Sequence, residues 1–176
     1  MSDEQEQLHG GHHGWLHHHE CGTLSLMSPH AVGKLLVVLQ FGLLAALFGL
    51  CVQRLPDQVP GPVTYALWFA SVTLGWWTLS VNRPGNFNIR PEPKAQGQLV
   101  QTGPYRWVRH PMYSAVLLLA AGASAWLMTL VGWVLWLDLL GVLLAKAFLE
   151  ERWLLRRYAE YAEYRQQTWR LVPWIY

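Results

Sequence analysis

Met112–Glu151 reads MYSAVLLLAAGASAWLMTLVGWVLWLDLLGVLLAKAFLEE. Asp138 and Lys146 are its only charges before the closing acidic pair. A helix needs roughly 20 apolar residues to cross about 30 Å of hydrocarbon, and this run holds about two such lengths. Trp126 and Trp133 flank its midpoint, where interfacial aromatics would mark a turn. The stretch therefore reads as a hairpin of two spans, Met112–Leu127 and Val131–Leu149, the first being the shortest in the chain. Two further apolar runs precede it, Ala31–Val52 and Pro62–Val81. Over 176 residues, 52% are hydrophobic and 14% charged, and the apolar residues are clustered rather than periodic, which disfavours a soluble domain. The expected fold class is an all-α integral membrane protein of about four transmembrane helices, with a cytoplasmic C-terminal helix.

Basic residues give an orientation. Lys34 lies near the start of the first span; Arg83, Arg90, Lys94, Arg106 and Arg109 fill the loop after the second; Lys146, Arg152, Arg156, Arg157, Arg165 and Arg170 end or follow the fourth. Of the 13 Lys and Arg, only Arg54 falls in a connection on the other side. The positive-inside rule then places both termini and the long loop in the cytoplasm, in what is expected to be a bacterial or archaeal inner membrane. Trp76, Trp77 and Trp153 serve as further interfacial anchors, whereas Trp68 and Trp136 read equally well as core fillers. A net charge of +2 whose cations follow topology implies no nucleic-acid partner.

Residues 1–30 form a polar tail with His9, His12, His13, His17, His18, His19, Glu20 and Cys21. Imidazole and thiolate suit a transition metal, but the spacing matches no defined zinc module. The tail is read as disordered with incidental, weak affinity for such metals, and no metal ligand is assigned. Cys21 and Cys51 fall on opposite sides of the membrane and are not expected to pair. Residues 31–176 form one membrane domain. Within it the loop Asn82–Arg109 is long enough to be functional or disordered, and Arg152–Arg170 reads as an amphipathic helix continuing the last span. Asp138 reads either as a hydrogen-bonding group between helices, to Thr73 or Ser71, or equally as part of a substrate path.

Two polar clusters meet at one membrane face. The first is Gly103-Pro104-Tyr105-Arg106-Trp107-Val108-Arg109-His110-Pro111-Met112-Tyr113; the second is Glu150-Glu151. Pro111 suits the first turn of a helix, and His110 and Tyr113, three residues apart, would face one pocket. Adjacent carboxylates at a membrane boundary are costly without a cation. Arg109, Lys146 or Arg152 would serve structurally, and a ligand amine or sulfonium would serve as well.

Leu99-Val100-Gln101-Thr102-Gly103-Pro104-Tyr105, Arg109-His110-Pro111-Met112-Tyr113, Glu150-Glu151-Arg152-Trp153-Leu154 and the late Tyr161, Tyr164, Arg170 and Pro173 together resemble the isoprenylcysteine carboxyl methyltransferase and phospholipid N-methyltransferase group of membrane enzymes. The resemblance spans about Asn82–Pro173 and is specific through the combination of motifs. It implies S-adenosylmethionine bound at the cytoplasmic side by the half covering residues 82–173, with Leu99, Val100, Tyr105, His110, Pro111, Met112, Tyr113 and Glu150 contacting it. It also implies methyl transfer to a lipophilic acceptor, through its carboxylate, thiol or amine, entering from membrane lipids. A basic residue one turn before the acidic pair, here Lys146, would bind the acceptor. Lys in place of the Arg of the isoprenylcysteine members forgoes a planar bidentate clamp. Ala115 and Ala159 stand where Gly is common. Methyl transfer needs alignment and exclusion of water, and for an amine acceptor Glu151 or Tyr113 would take the proton. Two other classes compete: a membrane reductase of related helical core, and a metal-handling protein centred on the His-rich tail.

Overall fold

Proline and turn chemistry punctuate the helices where the sequence leads one to expect. The computed structural model describes residues 29–55, 57–82 and 99–175. Within them run α1 (Pro29–Arg54), α2 (Pro62–Val81), a 3₁₀ turn (Gly103–Arg106), α3 (Pro111–Leu127), α4 (Leu130–Arg157) and α5 (Tyr161–Gln167), and no strand is formed among the described residues. Pro62 and Pro111 each open a helix, where a missing N–H is tolerated. The α3–α4 hairpin turns on Met128 at φ 50° and on Thr129, whose hydroxyl accepts from Gly132 N–H at 3.2 Å and caps α4. The His-rich tail, with its metal expectation, and most of the Asn82–Arg109 loop lie outside the described residues.

α1 and α4 pack antiparallel, with His30 against Trp153 at 5.6 Å and Gln40 against Lys146 deeper in. α3 fills the middle, contacting α1, α2 and α4. Gly122 lets α2 and α3 approach closely: a Cβ there would sit 2.5 Å from Trp68. Leu47, Leu117, Ala120, Ala123, Leu139 and Leu143 form the centre of the core. Trp126, expected at the interface, is 6% exposed and packed into that core, donating to the Gln58 carbonyl at 3.1 Å.

The polarity of the bundle is inverted relative to a water-soluble protein. Thr64, Ser71, Thr78, Ser124, Gln40 and Lys146 are buried, while Val38, Phe69, Val72 and Leu130 face outward. Such a surface is stable in hydrocarbon and not in water. Two helices, His30–Arg54 and Leu130–Arg157, are long and apolar enough to cross a membrane; α3 is apolar but has 17 residues, and α2 turns hydroxyl-bearing positions inward. All four expected spans form helices, and two of them, α1 and α4, are long and apolar enough to cross a membrane.

Two expectations need correction. Asp138 does not bridge helices: it lies on the exposed side of α4, because Leu139 and Leu143 occupy the inward face. Ser71 instead donates to Ala115 O at 2.7 Å and Thr73 to Phe69 O at 2.8 Å. Nor is Arg152–Arg170 one helix. α4 ends at Arg157, Tyr158 turns extended, α5 follows, and residues after Gln167 return to pair with the segment before α3.

Candidate active site

That returning tail builds the floor of the site. Trp169 N–H donates to Trp107 O at 3.0 Å, Arg109 N–H to Trp169 O at 2.8 Å, and His110 N–H to Arg170 O at 3.1 Å, forming a short parallel clasp. Ser114 Oγ reaches the Leu171 carbonyl. Tyr164 of α5 donates to Tyr105 O at 2.7 Å, fixing the 3₁₀ turn from the other side. Gly103 opens that turn at φ +61°, and a Cβ there would meet Val81 at 2.6 Å, so only glycine fits without movement. Tyr105, His110 and α3 are thereby held in fixed relation before any ligand is considered.

The two adjacent glutamates are not equivalent. Glu151 is enclosed: its side chain is 3% exposed, Arg170 grips it with Nε at 3.1 Å and Nη2 at 3.0 Å, Arg109 Nε donates at 2.9 Å, and His110 Nε2 lies 3.3 Å away. Arg109 continues to the carbonyls of Arg165 and Thr168. This carboxylate ties α4 to the segment before α3 and to the tail. With both oxygens held by guanidinium groups it is a poor proton acceptor.

Glu150, one position earlier, points into more open space, with its side chain 30% exposed. Its Oε2 accepts from Tyr113 OH at 3.0 Å and lies 3.5 Å from His110 Nδ1, while Oε1 has no partner among the described residues. His110 and Tyr113 stack with ring centres 5.3 Å apart and planes within 4°. Burial alone would push the His110 imidazole down, but hydrogen bonds and charge from both glutamates outweigh it and hold its pKa above the ordinary value. Burial, and then the Glu150 charge, push the Tyr105 hydroxyl up to about 12, so it stays a neutral donor. Tyr161, 1% exposed and close enough to feel both glutamates, carries a hydroxyl without a partner among the described residues.

Of the residues singled out from sequence, Tyr105, His110, Tyr113, Glu150 and Glu151 thus converge. Lys146 joins them with Nζ 5.1 Å from the Tyr113 ring centre, and the competing Lys146–Glu150 ion pair is not formed. Pro111 starts α3 but lines a separate apolar groove of about 710 Å³ between α2, α3, α4 and the tail, which Lys146, Tyr113 and Glu150 do not line. Leu99, Val100 and Met112 are half-buried nearby in sequence, and no polar contact ties them to the cluster. Sequence reasoning missed Gln40, whose signal was available: it is the only hydrogen-bonding side chain between Lys34 and Cys51.

These features bear on S-adenosylmethionine, which carries a sulfonium, an amine and ribose hydroxyls. Glu150 Oε1, without a partner among the described residues, and the Tyr105 hydroxyl offer an acceptor and a donor near the stacked His110–Tyr113 pair, and these residues fit such a group. No curated protein matches the chain closely. The family model for phospholipid methyltransferases matches residues 62–161, covering α2, α3, α4 and the site between them. With more than half of its 176 residues in that match, the chain belongs to the phospholipid methyltransferase family.

Proposed function

We propose that the protein transfers the methyl of S-adenosylmethionine to a lipophilic acceptor that reaches the site from the bilayer, at the cytoplasmic face. The observation carrying this reading is Glu150, a carboxylate oriented by Tyr113 and His110 yet left with an open oxygen beside the apolar helices. Family membership favours methyl transfer over the reductase reading. The net enrichment of basic residues at one end of the helices supports the cytoplasmic assignment for that end and for both termini.

When bound, the sulfonium supplies an electrophilic methyl group. The chain's own contribution is to hold, align and dry the site. Glu150 takes the proton role that the sequence assigned to Glu151: an amine acceptor would deliver its proton to the open Oε1, while a carboxylate acceptor would need no base. Tyr113 orients that glutamate through its hydroxyl rather than acting as a base itself, because the hydroxyl is the donor in their 3.0 Å bond. Glu151, with Arg109 and Arg170, is the anchor that keeps His110 and α4 in register. Leu99, Val100 and Met112 supply apolar walls for the cofactor, and Lys146 faces the acceptor.

The test is incorporation of a deuterated methyl from S-adenosylmethionine into a lipid extract and, separately, into a water-soluble extract. The label should enter the lipid fraction with wild type and not with Glu150→Gln. Labelling confined to the soluble extract would contradict the reading.

A further inference from the structure

Asp138 is a carboxyl group set in hydrocarbon. It lies eight residues into α4, about 12 Å along the axis from Leu130 and about 18 Å from Glu150, near the middle of the layer the helix crosses. It is exposed on the outward side of α4, while Leu139 and Leu143 take the inward face. Among the described residues it forms no hydrogen bond or ion pair. Ionisable groups at such depth are costly and ordinarily turn toward a partner.

The surface around Asp138 is shaped for another helix. Val134, Asp138, Gly141, Ala145 and Phe148 follow one another at alternating steps of four and three, and all five are exposed. That spacing is the seam along which parallel helices supercoil, and a single polar residue on it sets register and partner number. Any outward helix face repeats in this way; a carboxyl followed by two small residues distinguishes this one. A Cβ added at Gly141 would meet nothing within 4 Å, and Ala145 follows one turn later. Small residues four apart let two backbones approach closely in lipid, where van der Waals contact and interhelical hydrogen bonds hold helices together. At the far end the Arg152 guanidinium lies 5.8 Å over the Phe148 ring, which marks where the seam reaches water.

We propose that a second copy of the chain covers this face: two α4 helices run parallel about a two-fold axis and meet through these five residues, with the two Asp138 carboxyls opposite each other. The occupant must present a hydrogen-bonding group at the depth of Asp138. A second copy in the same membrane orientation does so by symmetry, because an isologous contact sets each residue near the axis against its own counterpart. Two carboxyls with a proton between them form an O–H···O bond in which each group serves the other. Thr73, which also faces outward near the middle of α2, already donates to Phe69 O at 2.8 Å and is satisfied. Glu150, nine residues beyond Gly141, is turned about 180° from it around the helix, so the pairing leaves the polar cluster clear of the interface.

The experiment uses the purified full chain in phosphatidylcholine vesicles at high lipid excess, with Cys21→Ser so that the remaining native thiol is the buried Cys51. Under copper phenanthroline, Val134→Cys and Ala145→Cys should form disulfide-linked dimers, and Val72→Cys, on the outward face of α2 and 67% exposed, should not. Energy transfer between labelled chains over a range of protein-to-lipid ratios gives the association constant. It should weaken about three- to thirtyfold in Asp138→Leu and stay within about twofold in Asp138→Asn, whose amide both donates and accepts. Gly141→Leu, which blocks close approach, should weaken it as well. At ratios where wild type is monomeric, Asp138→Leu should keep the wild-type melting temperature, since its carboxyl has no partner among the described residues; lost association is then not lost folding. A wild type that stays monomeric throughout would give the face to a partner of another kind and overturn the proposal. So would equal cross-linking of Val72→Cys and Ala145→Cys, unchanged association in Asp138→Leu, or the same association constant for Asp138→Leu and Asp138→Asn.

Discussion

Glu151→Gln should unfold the site without touching the open carboxylate. The substitution leaves Arg109 and Arg170, each with a side chain 7% exposed, facing a neutral amide that can satisfy one of their donors and must turn its NH₂ toward another. Removing one partner of a buried ion pair costs about 3–5 kcal/mol, and the residual carbonyl of Gln places this case at about 3 kcal/mol. For a chain of this size about 1 kcal/mol corresponds to roughly 2–4 °C, giving a melting temperature about 6–12 °C lower. Glu150→Gln, at a side chain 30% exposed with one donor bond, should shift melting by no more than about 2 °C. Cys51 supplies the readout, because its thiol is 2% exposed in the core and becomes reactive to a fluorogenic thiol probe on unfolding; Cys21→Ser removes the competing thiol. Equal melting temperatures for the two variants, or a larger loss in Glu150→Gln, would refute the division of labour between the glutamates.

His110 gives a pH signature. Its folded pKa is raised, so the stability it contributes is fully present below its unfolded value of about 6.5 and is lost as pH rises through the higher folded value. Melting temperature should therefore fall on the alkaline side of that range in wild type and vary less in His110→Asn, which a melting series across pH would record. Gly103→Ala should cost about 1–3 kcal/mol through the strained φ and the Val81 contact, and should weaken S-adenosylmethionine binding by displacing Tyr105; titration of the variant checks it. Single cysteines at Val59, 76% exposed in the α1–α2 turn, and at Thr102 in the long loop should label oppositely in intact cells, with Val59 reached by an impermeant reagent and Thr102 protected. The reverse pattern would invert the topology.

Much of this was legible because apolar length and proline punctuation act locally. α2 runs Pro62–Val81 as read from the sequence, and Pro111 opens α3 with His110 and Tyr113 on one face. The motifs likewise marked where the polar clusters meet. What the sequence could not distinguish was Glu150 from Glu151: neighbours on a helix point about 100° apart, and which one meets Arg170 depends on the tail folding back after α5. That return is encoded in long-range pairing of Trp107–His110 with Trp169–Arg170, which no local periodicity reports. Asp138 was misplaced for a related reason, since a single acid in an apolar run does not reveal which face its neighbours bury. Gln40 was visible as the one hydrogen-bonding side chain between Lys34 and Cys51, but its meaning required the antiparallel register that sets it against Lys146.

The central claim is that Glu150, oriented by Tyr113 and His110, belongs to a S-adenosylmethionine site. Calorimetric titration of the purified full chain with S-adenosylmethionine, with NADPH as the contrasting ligand, tests it most directly. Saturable binding of S-adenosylmethionine, weakened roughly ten- to a hundredfold in Glu150→Gln at unchanged melting temperature, with no heat from NADPH, is the expected result. Absence of S-adenosylmethionine binding to a folded wild type, or equal affinity in Glu150→Gln, would contradict it.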